Sequence, residues 1–162
     1  MDYSSSTMVN RKLVILIHRN CKLVTMDNKI KHLDYIQNIV TRLNTNSFQI
    51  KGLSITIVAA LLAVYASNQK LDFILVAVLP TVIFWFLDAY YLQQERKFRG
   101  LYNDVAGISE NPKKIKEFEM RPDLYKKGKY RYIRVLFSKT IWTIYLPLIS
   151  ILLATYYYLK LK

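Results

Sequence analysis

Apolar residues are concentrated in three long stretches of the chain. Residues 52–69 and 140–159 contain no charged side chain, and residues 73–94 contain only Asp88. Each stretch has roughly the 20 apolar residues that an α-helix needs to cross the hydrocarbon core of a bilayer. The pattern therefore predicts an all-α integral membrane protein, with spans over about 52–69, 72–93 and 140–159.

A short polar link joins the first two predicted spans. It covers residues 67–72, and so few residues place the two helices side by side in antiparallel orientation. Residues 52–93 are thus predicted to form a transmembrane hairpin. Small residues on the first span favour close helix packing in lipid. They are Ala59, Ala60, Ala63 and Ala66.

The segment before the first span divides into two parts. Residues 28–51 carry apolar side chains at spacings of three, four and seven, which predicts an amphipathic helix on the cytoplasmic side. Residues 1–27 have no such pattern, and their apolar run, 13–17, is too short for a span or a signal peptide. We therefore expect an irregular N-terminal segment and regard Met26 as an alternative start.

The stretch after the second span is polar and basic. Residues 94–139 hold 13 Lys and Arg side chains against six Asp and Glu. We expect this segment to be helical, first as a continuation of the second span and again over about 113–120, between two prolines. The third span then follows as a C-terminal transmembrane helix.

The charge of the chain is distributed unevenly around the spans. The 162 residues carry a formal net charge of +13, which by itself suggests a nucleic-acid or anion binder. Residues 1–51 contain eight basic and three acidic side chains, and two spans return the chain to the same side for residues 94–139. The positive-inside rule then places both segments, and the N-terminus, in the cytoplasm.

Asp88 is the only charged residue of the second span and lies among aromatic residues. A carboxylate within a span is costly and is usually functional. One interpretation is structural: the carboxylate pairs with Lys51 or accepts a hydrogen bond from Asn46 or Ser47. The other is a role in subunit contact or gating. Its candidate residues are Asp88, Asn46, Ser47, Lys51 and Trp85.

Basic side chains alternate with tyrosines in the second half of the polar segment. Such a surface attracts anionic lipid headgroups. It also suits a phosphate-bearing ligand such as a nucleotide, since Lys and Arg supply charge and Tyr supplies a stacking surface. Nucleic acid is a poorer match because no RNA-binding motif and no Gly-rich phosphate loop is present. The candidate residues for binding an anionic ligand or lipid are Lys113, Lys114, Lys116, Arg121, Lys126, Lys127, Lys129, Arg131 and Arg134.

Catalytic and metal-binding patterns are absent from the sequence. Neither G-x-S-x-G nor H-E-x-x-H occurs, and the two histidines do not have a metal-ligand spacing. Cys21 is the only cysteine, which excludes an intramolecular disulfide and a Cys-based zinc site. We therefore expect no enzymatic activity, no bound metal and no cofactor.

Three stretches resemble a family of small bacterial integral membrane proteins: 32–43 (HLDYIQNIVTRL), 46–52 (NSFQIKG) and 84–99 (FWFLDAYYLQQERKFR). The order of elements, with a short helix, a two-span hairpin and a cytoplasmic helix, is similar to that of SLATT-type effectors. The likeness implies that the protein lies in the bacterial inner membrane. It also implies that the protein belongs to an anti-phage conflict system, which senses a nucleotide signal and permeabilises the membrane. The third span, 140–159, departs from a two-span pattern.

Two functions are open on this evidence. In the first, copies associate through residues 52–93 into a homo-oligomer, and a signal such as a nucleotide second messenger changes their packing and opens the membrane. In the second, the hairpin anchors a basic cytoplasmic scaffold that recruits a soluble defence-system protein. Under both functions the expected partners are membrane lipids and further copies of the chain. The first function adds a nucleotide as a partner, and the second adds a soluble protein.

Overall fold

The computed structural model describes the backbone of residues 3–161 and the side chains of residues 19, 20 and 22–161. No strand occurs in this described part of the chain, so the all-α fold class is confirmed there. Two single 3-10 turns, Pro122–Leu124 and Gly128–Tyr130, lie between the second and third helices. The four helices are α1 (Tyr3–Asn68), α2 (Asp72–Ala106), α3 (Tyr132–Leu136) and α4 (Lys139–Leu161).

Three of these helices are long and apolar enough to cross a membrane, as the apolar pattern predicted. With 23 residues, α4 is about 35 Å long and matches a hydrocarbon core of about 30 Å. With 66 and 35 residues, α1 and α2 are far longer than a bilayer requires. Because a link of only three residues, 69–71, joins them, both helices extend past the apolar layer at the end opposite this turn.

α1 is one uninterrupted helix that begins at Tyr3. The prediction of irregular structure over residues 1–27 is therefore wrong for residues 3–27, whose backbone is described. No helix boundary exists at residue 28. The reason is compositional: Pro80 is the first proline of the chain and Gly52 the only glycine before it, so no residue in α1 lacks a backbone donor. The side chains of the apolar run 13–17 lie outside the described residues.

The two long helices continue into a polar lobe, which we define as residues 22–46, 92–106 and 107–131. Ile36 and Val40 were part of the predicted amphipathic stripe, and both are buried. They pack against the other parts of the lobe. Apolar burial therefore holds residues 107–131, which we call the irregular segment, to the two helices. The buried core of the lobe consists of Ile36, Val40, Leu101 and Tyr125.

The middle of the lobe is not helical, which corrects the prediction of a helical segment over 94–139. α2 ends where Gly107 takes a left-handed conformation (φ 81°) and donates its N–H to the carbonyls of Asn103 and Asp104. No helix forms over 113–120. The segment that follows Gly107 instead packs back onto α1 and α2, where it contributes Tyr125 to their core.

α2 is the central helix of the apolar layer, since it packs against both α1 and α4. Near the turn, the buried core joins all three helices. Its members are Val58, Ile74, Ala77 and Leu152. At the opposite end of the layer, a second core joins α2 to α3 and α4. Its members are Ala89, Val135, Leu136, Ile141 and Tyr145.

The alanine face of α1 does not pack against α2. Ala59, Ala63 and Ala66 are exposed on the outside of the three-helix unit, whereas Ser54 and Val58 are buried against its inside. The close packing that the alanines favour is therefore not used within one copy of the chain. Their face is available in the lipid phase.

Candidate functional site

Four side chains from three helices meet at one level of the apolar layer. We call them the Asp88 cluster: Ser47 and Lys51 of α1, Asp88 of α2 and Tyr145 of α4. Lys51, Asp88 and Tyr145 each lie 16 or 17 residues, about 25 Å, from the end of their helix nearest the turn. Because the hydrocarbon core is about 30 Å thick, this level is the edge of the apolar layer next to the polar lobe.

The Asp88 carboxylate is bound by two donors from α1. The ammonium of Lys51 lies 2.8 Å from Asp88 Oδ1, and the Ser47 hydroxyl donates to the same oxygen. Lys51 also donates to Ser47 Oγ at 2.6 Å, which closes a three-membered hydrogen-bond network. Asp88 is fully buried and the Lys51 side chain is 15% exposed, so this ion pair is shielded from solvent. It stabilises α1 against α2 at a fixed register.

The second oxygen of Asp88 faces α4. Asp88 Oδ2 and the Tyr145 hydroxyl are both buried, and neither has a hydrogen-bond partner among the described residues. They lie close enough to interact electrostatically. The Trp85 ring stacks on the Tyr145 ring, with 6.5 Å between the two ring centroids. The indole N–H of Trp85 donates to the Leu136 carbonyl at 3.1 Å. At this level the contact between α2 and α4 is therefore aromatic, and the Asp88 carboxylate lies beside the Tyr145 hydroxyl.

The structure thus bears out part of the contact that the sequence predicted around Asp88. Lys51 and Ser47 bind the carboxylate, and Trp85 stacks on Tyr145. Asn46 is half-buried and makes no hydrogen bond to Asp88. Tyr145 was not predicted to belong to this cluster. It lies four residues after Ile141, and that separation places both residues on one face of α4, where both are buried.

The nine candidate basic residues do not form one continuous patch. Arg121 is paired with Glu119 at 3.3 Å and with Asp123 at 3.1 Å. Lys129 lies over the Tyr130 ring, 5.3 Å from its centroid. Arg121 is the one candidate with an ion pair among the described residues. Lys114, Lys126 and Lys127 are exposed and line neither of the two cavities described next.

The remaining basic residues line two separate cavities. Arg131 and Arg134 lie at α3, beside Ile133 and Phe137, around a cavity of about 390 Å³. Lys113 and Lys116 lie on the other side of the lobe and face α1 across a smaller cavity. The sequence could not separate these groups because they occur within 22 residues of each other, and no long helix or strand lies between them to show their positions.

Tyr125 anchors the irregular segment of the lobe to α2. Its hydroxyl donates to Asp104 Oδ2 at 2.5 Å, and the ammonium of Lys113 lies 3.8 Å from its ring centroid. Burial and the hydrogen bond to Asp104 raise the pKa of Tyr125, so the hydroxyl stays protonated at neutral pH. The donor that holds the segment in place is therefore present throughout the ordinary pH range.

Replacing Tyr125 by phenylalanine should destabilise the lobe by about 1–2 kcal/mol, because a hydrogen bond to a charged acceptor is lost. The loss should be constant from pH 6 to pH 9, since the tyrosine does not ionise there. Thermal unfolding of the purified protein in detergent measures it. Tyr102→Phe is the matched control, because the Tyr102 hydroxyl makes no hydrogen bond in the described part of the chain. An equal loss in both variants would contradict the anchoring role.

Comparison of this chain with protein-family models, curated proteins and solved structures found no match. Within the described residues, no group of three or more His, Cys, Asp or Glu side chains is placed to hold a metal ion. The candidate sites therefore rest on their own geometry: a buried ion pair between the helices and two basic cavities in and beside the lobe.

Proposed function

We propose that this chain is a bacterial transmembrane effector of an anti-phage defence system, which oligomerises and permeabilises the inner membrane in response to a signal received by its polar lobe. The observation that supports this proposal is the continuity of α1 and α2. Each runs without a break from the lobe into the apolar layer. The Lys51–Asp88 ion pair joins them where they enter it. A change in packing in the lobe would therefore reach the spans directly.

The orientation of this proposal follows from charge. The lobe and the N-terminal part of α1 carry most of the net charge of +13, and the turn at 69–71 carries one lysine. Under the positive-inside rule the lobe is cytoplasmic, so the N-terminus is cytoplasmic and the signal comes from inside the cell.

Association between copies would use the outer surface of the spans. Asp88 is fully buried within one copy, so its part in gating would be to hold α1 against α2 and not to contact a neighbouring subunit. Ala59, Ala63 and Ala66 are exposed at intervals of four and three residues, the spacing at which small side chains let helices approach in lipid. They are the proposed contact face of the homo-oligomer.

A membrane anchor for a soluble partner is the second candidate. It is favoured by the exposed, unpaired Lys114, Lys126 and Lys127, which offer a docking surface for an acidic protein. In this case the spans would be passive, and one soluble protein would copurify with the chain in a fixed ratio.

Membrane potential in growing bacteria distinguishes the two functions. Cells expressing the wild-type chain should lose potential-dependent dye uptake within minutes of phage infection. Cells expressing Asp88→Asn should keep it, provided that membrane fractionation shows normal insertion. Retained potential in infected wild-type cells, together with a stoichiometric soluble partner, would reject the effector and support the anchor.

A further inference from the structure

A cavity of about 210 Å³ lies in the polar lobe, between α1 and the irregular segment. It is smaller than the roughly 300–1,000 Å³ of sites for drug-sized ligands, so it suits a small ion or one end of a larger molecule. α1, α2 and the irregular segment each contribute to its wall. The lining residues are Thr25, Lys29, His32, Asp104, Val105, Lys113, Ile115, Lys116 and Glu117.

His32 is the most informative residue in this wall. It is only 3% exposed, yet its Nε2 has no hydrogen-bond partner in the described part of the chain. Buried polar atoms in native proteins almost always have a partner, and an exception calls for a ligand, a water molecule or a functional reason. His32 lines the cavity, and its Nε2 is the buried polar atom of that wall that lacks a partner.

The backbone beside the cavity is held in an uncommon conformation. Phe118 has a φ of 59°, in the left-handed region that bulky residues seldom adopt. The centroid of its ring lies 5.7 Å from that of His32 and 6.1 Å from that of Tyr35. These ring contacts hold the irregular segment against α1. Strained residues of this kind persist where the surrounding structure requires them, often at ligand sites.

The charged groups around the cavity favour an anion. Both carboxylates already have partners: Asp104 accepts from Tyr125, and Glu117 accepts from Asn28 at 3.4 Å. Of the three lysines, Lys113 is committed to the Leu124 carbonyl and the Tyr125 ring, whereas the ammonium groups of the other two are less committed. Lys116 forms no ion pair among the described residues, and the Lys29 ammonium reaches only the Ala106 carbonyl, at 3.5 Å.

We propose that this cavity, the His32 site, binds the phosphoryl group of a soluble small molecule. Lys29 and Lys116 supply ammonium donors on flexible side chains, and His32 supplies an imidazole N–H whose direction is fixed by the ring. This combination suits the several acceptor oxygens of a phosphate. A lipid headgroup is the wrong source, because His32 lies 19 residues, about 28 Å along α1, beyond Lys51 at the edge of the apolar layer. As the place where a signal is received, the His32 site rests on the proposed function, but binding itself does not depend on it.

Inorganic phosphate is the probe for the test, added to the full-length protein in a neutral detergent. Isothermal titration should show saturable binding at constant ionic strength. Lys116→Gln and Lys29→Gln should each weaken it about tenfold or more, because each removes a charged hydrogen bond. Lys114→Gln is the matched control, since Lys114 is an exposed neighbour that does not line the cavity. Its affinity should stay within about twofold of wild type.

A second readout follows His32 directly. The chain has two histidines, so selective ¹⁵N-histidine labelling gives two imidazoles, which the His32→Gln variant assigns. The His32 signals should move and saturate with phosphate at the same midpoint as the titration. No saturable binding, an equal loss in Lys114→Gln, or unmoved His32 signals would overturn the site.

The test also separates this site from the proposed function. Phosphate binding at His32 in a protein that never depolarises membranes would support the site and reject the effector. Depolarisation of infected cells by a protein that binds no phosphate would support the effector and reject the site.

Discussion

Replacing Asp88 by alanine is expected to lower the free energy of unfolding by about 3 kcal/mol or more, and the melting temperature by roughly 10 °C. Asp88 is fully buried and the Lys51 side chain is 15% exposed. The substitution leaves this ammonium without its counter-ion in a region of low dielectric constant, and that loss is the main cost. Thermal unfolding in detergent, followed by circular dichroism, measures the change.

A double-mutant cycle identifies the cause of that loss. Lys51→Met alone should also destabilise, because it leaves the buried carboxylate without its counter-ion and with the Ser47 hydroxyl as its donor from α1. The cycle compares Asp88→Leu and Lys51→Met with the double variant that carries both substitutions. The double variant should recover most of the stability, since apolar residues often replace a buried ion pair at little cost. If the two single losses simply add in the double variant, the ion pair does not couple α1 to α2.

Replacing Gly100 by valine should destabilise the protein by about 3 kcal/mol. Gly100 is buried in α2, and a Cβ there would lie 2.7 Å from the Tyr130 hydroxyl and 2.8 Å from a ring carbon of Tyr125. Tyr125 is itself held in the core and by Asp104, so it has little room to move. We expect the irregular segment to separate from α2, with increased amide hydrogen exchange over residues 107–131.

Gly52→Val is the matched control for this substitution. Gly52 is also an interior helical glycine, but a Cβ there meets no atom within 4 Å. Valine is a slightly better helix former than glycine, so this variant should be neutral or more stable by a few tenths of a kcal/mol. Equal destabilisation by both variants would show that valine itself, and not the contact with the tyrosines, is responsible.

The sequence predicted the membrane part of the fold well because hydropathy alone determines it. It also predicted the partners Lys51 and Ser47 for Asp88. The short turn fixes the antiparallel register, and Lys51 and Asp88 lie nearly equal numbers of residues on either side of it. A charged residue at that depth requires a partner on the neighbouring helix, and few polar groups were available.

The polar lobe was predicted poorly because its structure depends on contacts between distant residues. The course of the irregular segment is set by Tyr125 against Leu101 and Asp104, which no local pattern shows. The helix over residues 3–27 was missed because a helix without an apolar stripe resembles irregular sequence. His32 gave a usable signal, since it precedes Ile36 and Val40 by four and eight residues on the same buried face.

The uninterrupted course of α1 has a mechanical consequence. Lys51 fastens the helix to α2 about 28 Å from His32 on one side and about 26 Å from Asn68 on the other. The ion pair is one of three places where α1 is held to α2, because apolar cores also join the two helices in the lobe and near the turn. A helix held at three points along its length cannot pivot about one of them. A displacement at the lobe would therefore move α1 and α2 together, as one paired unit.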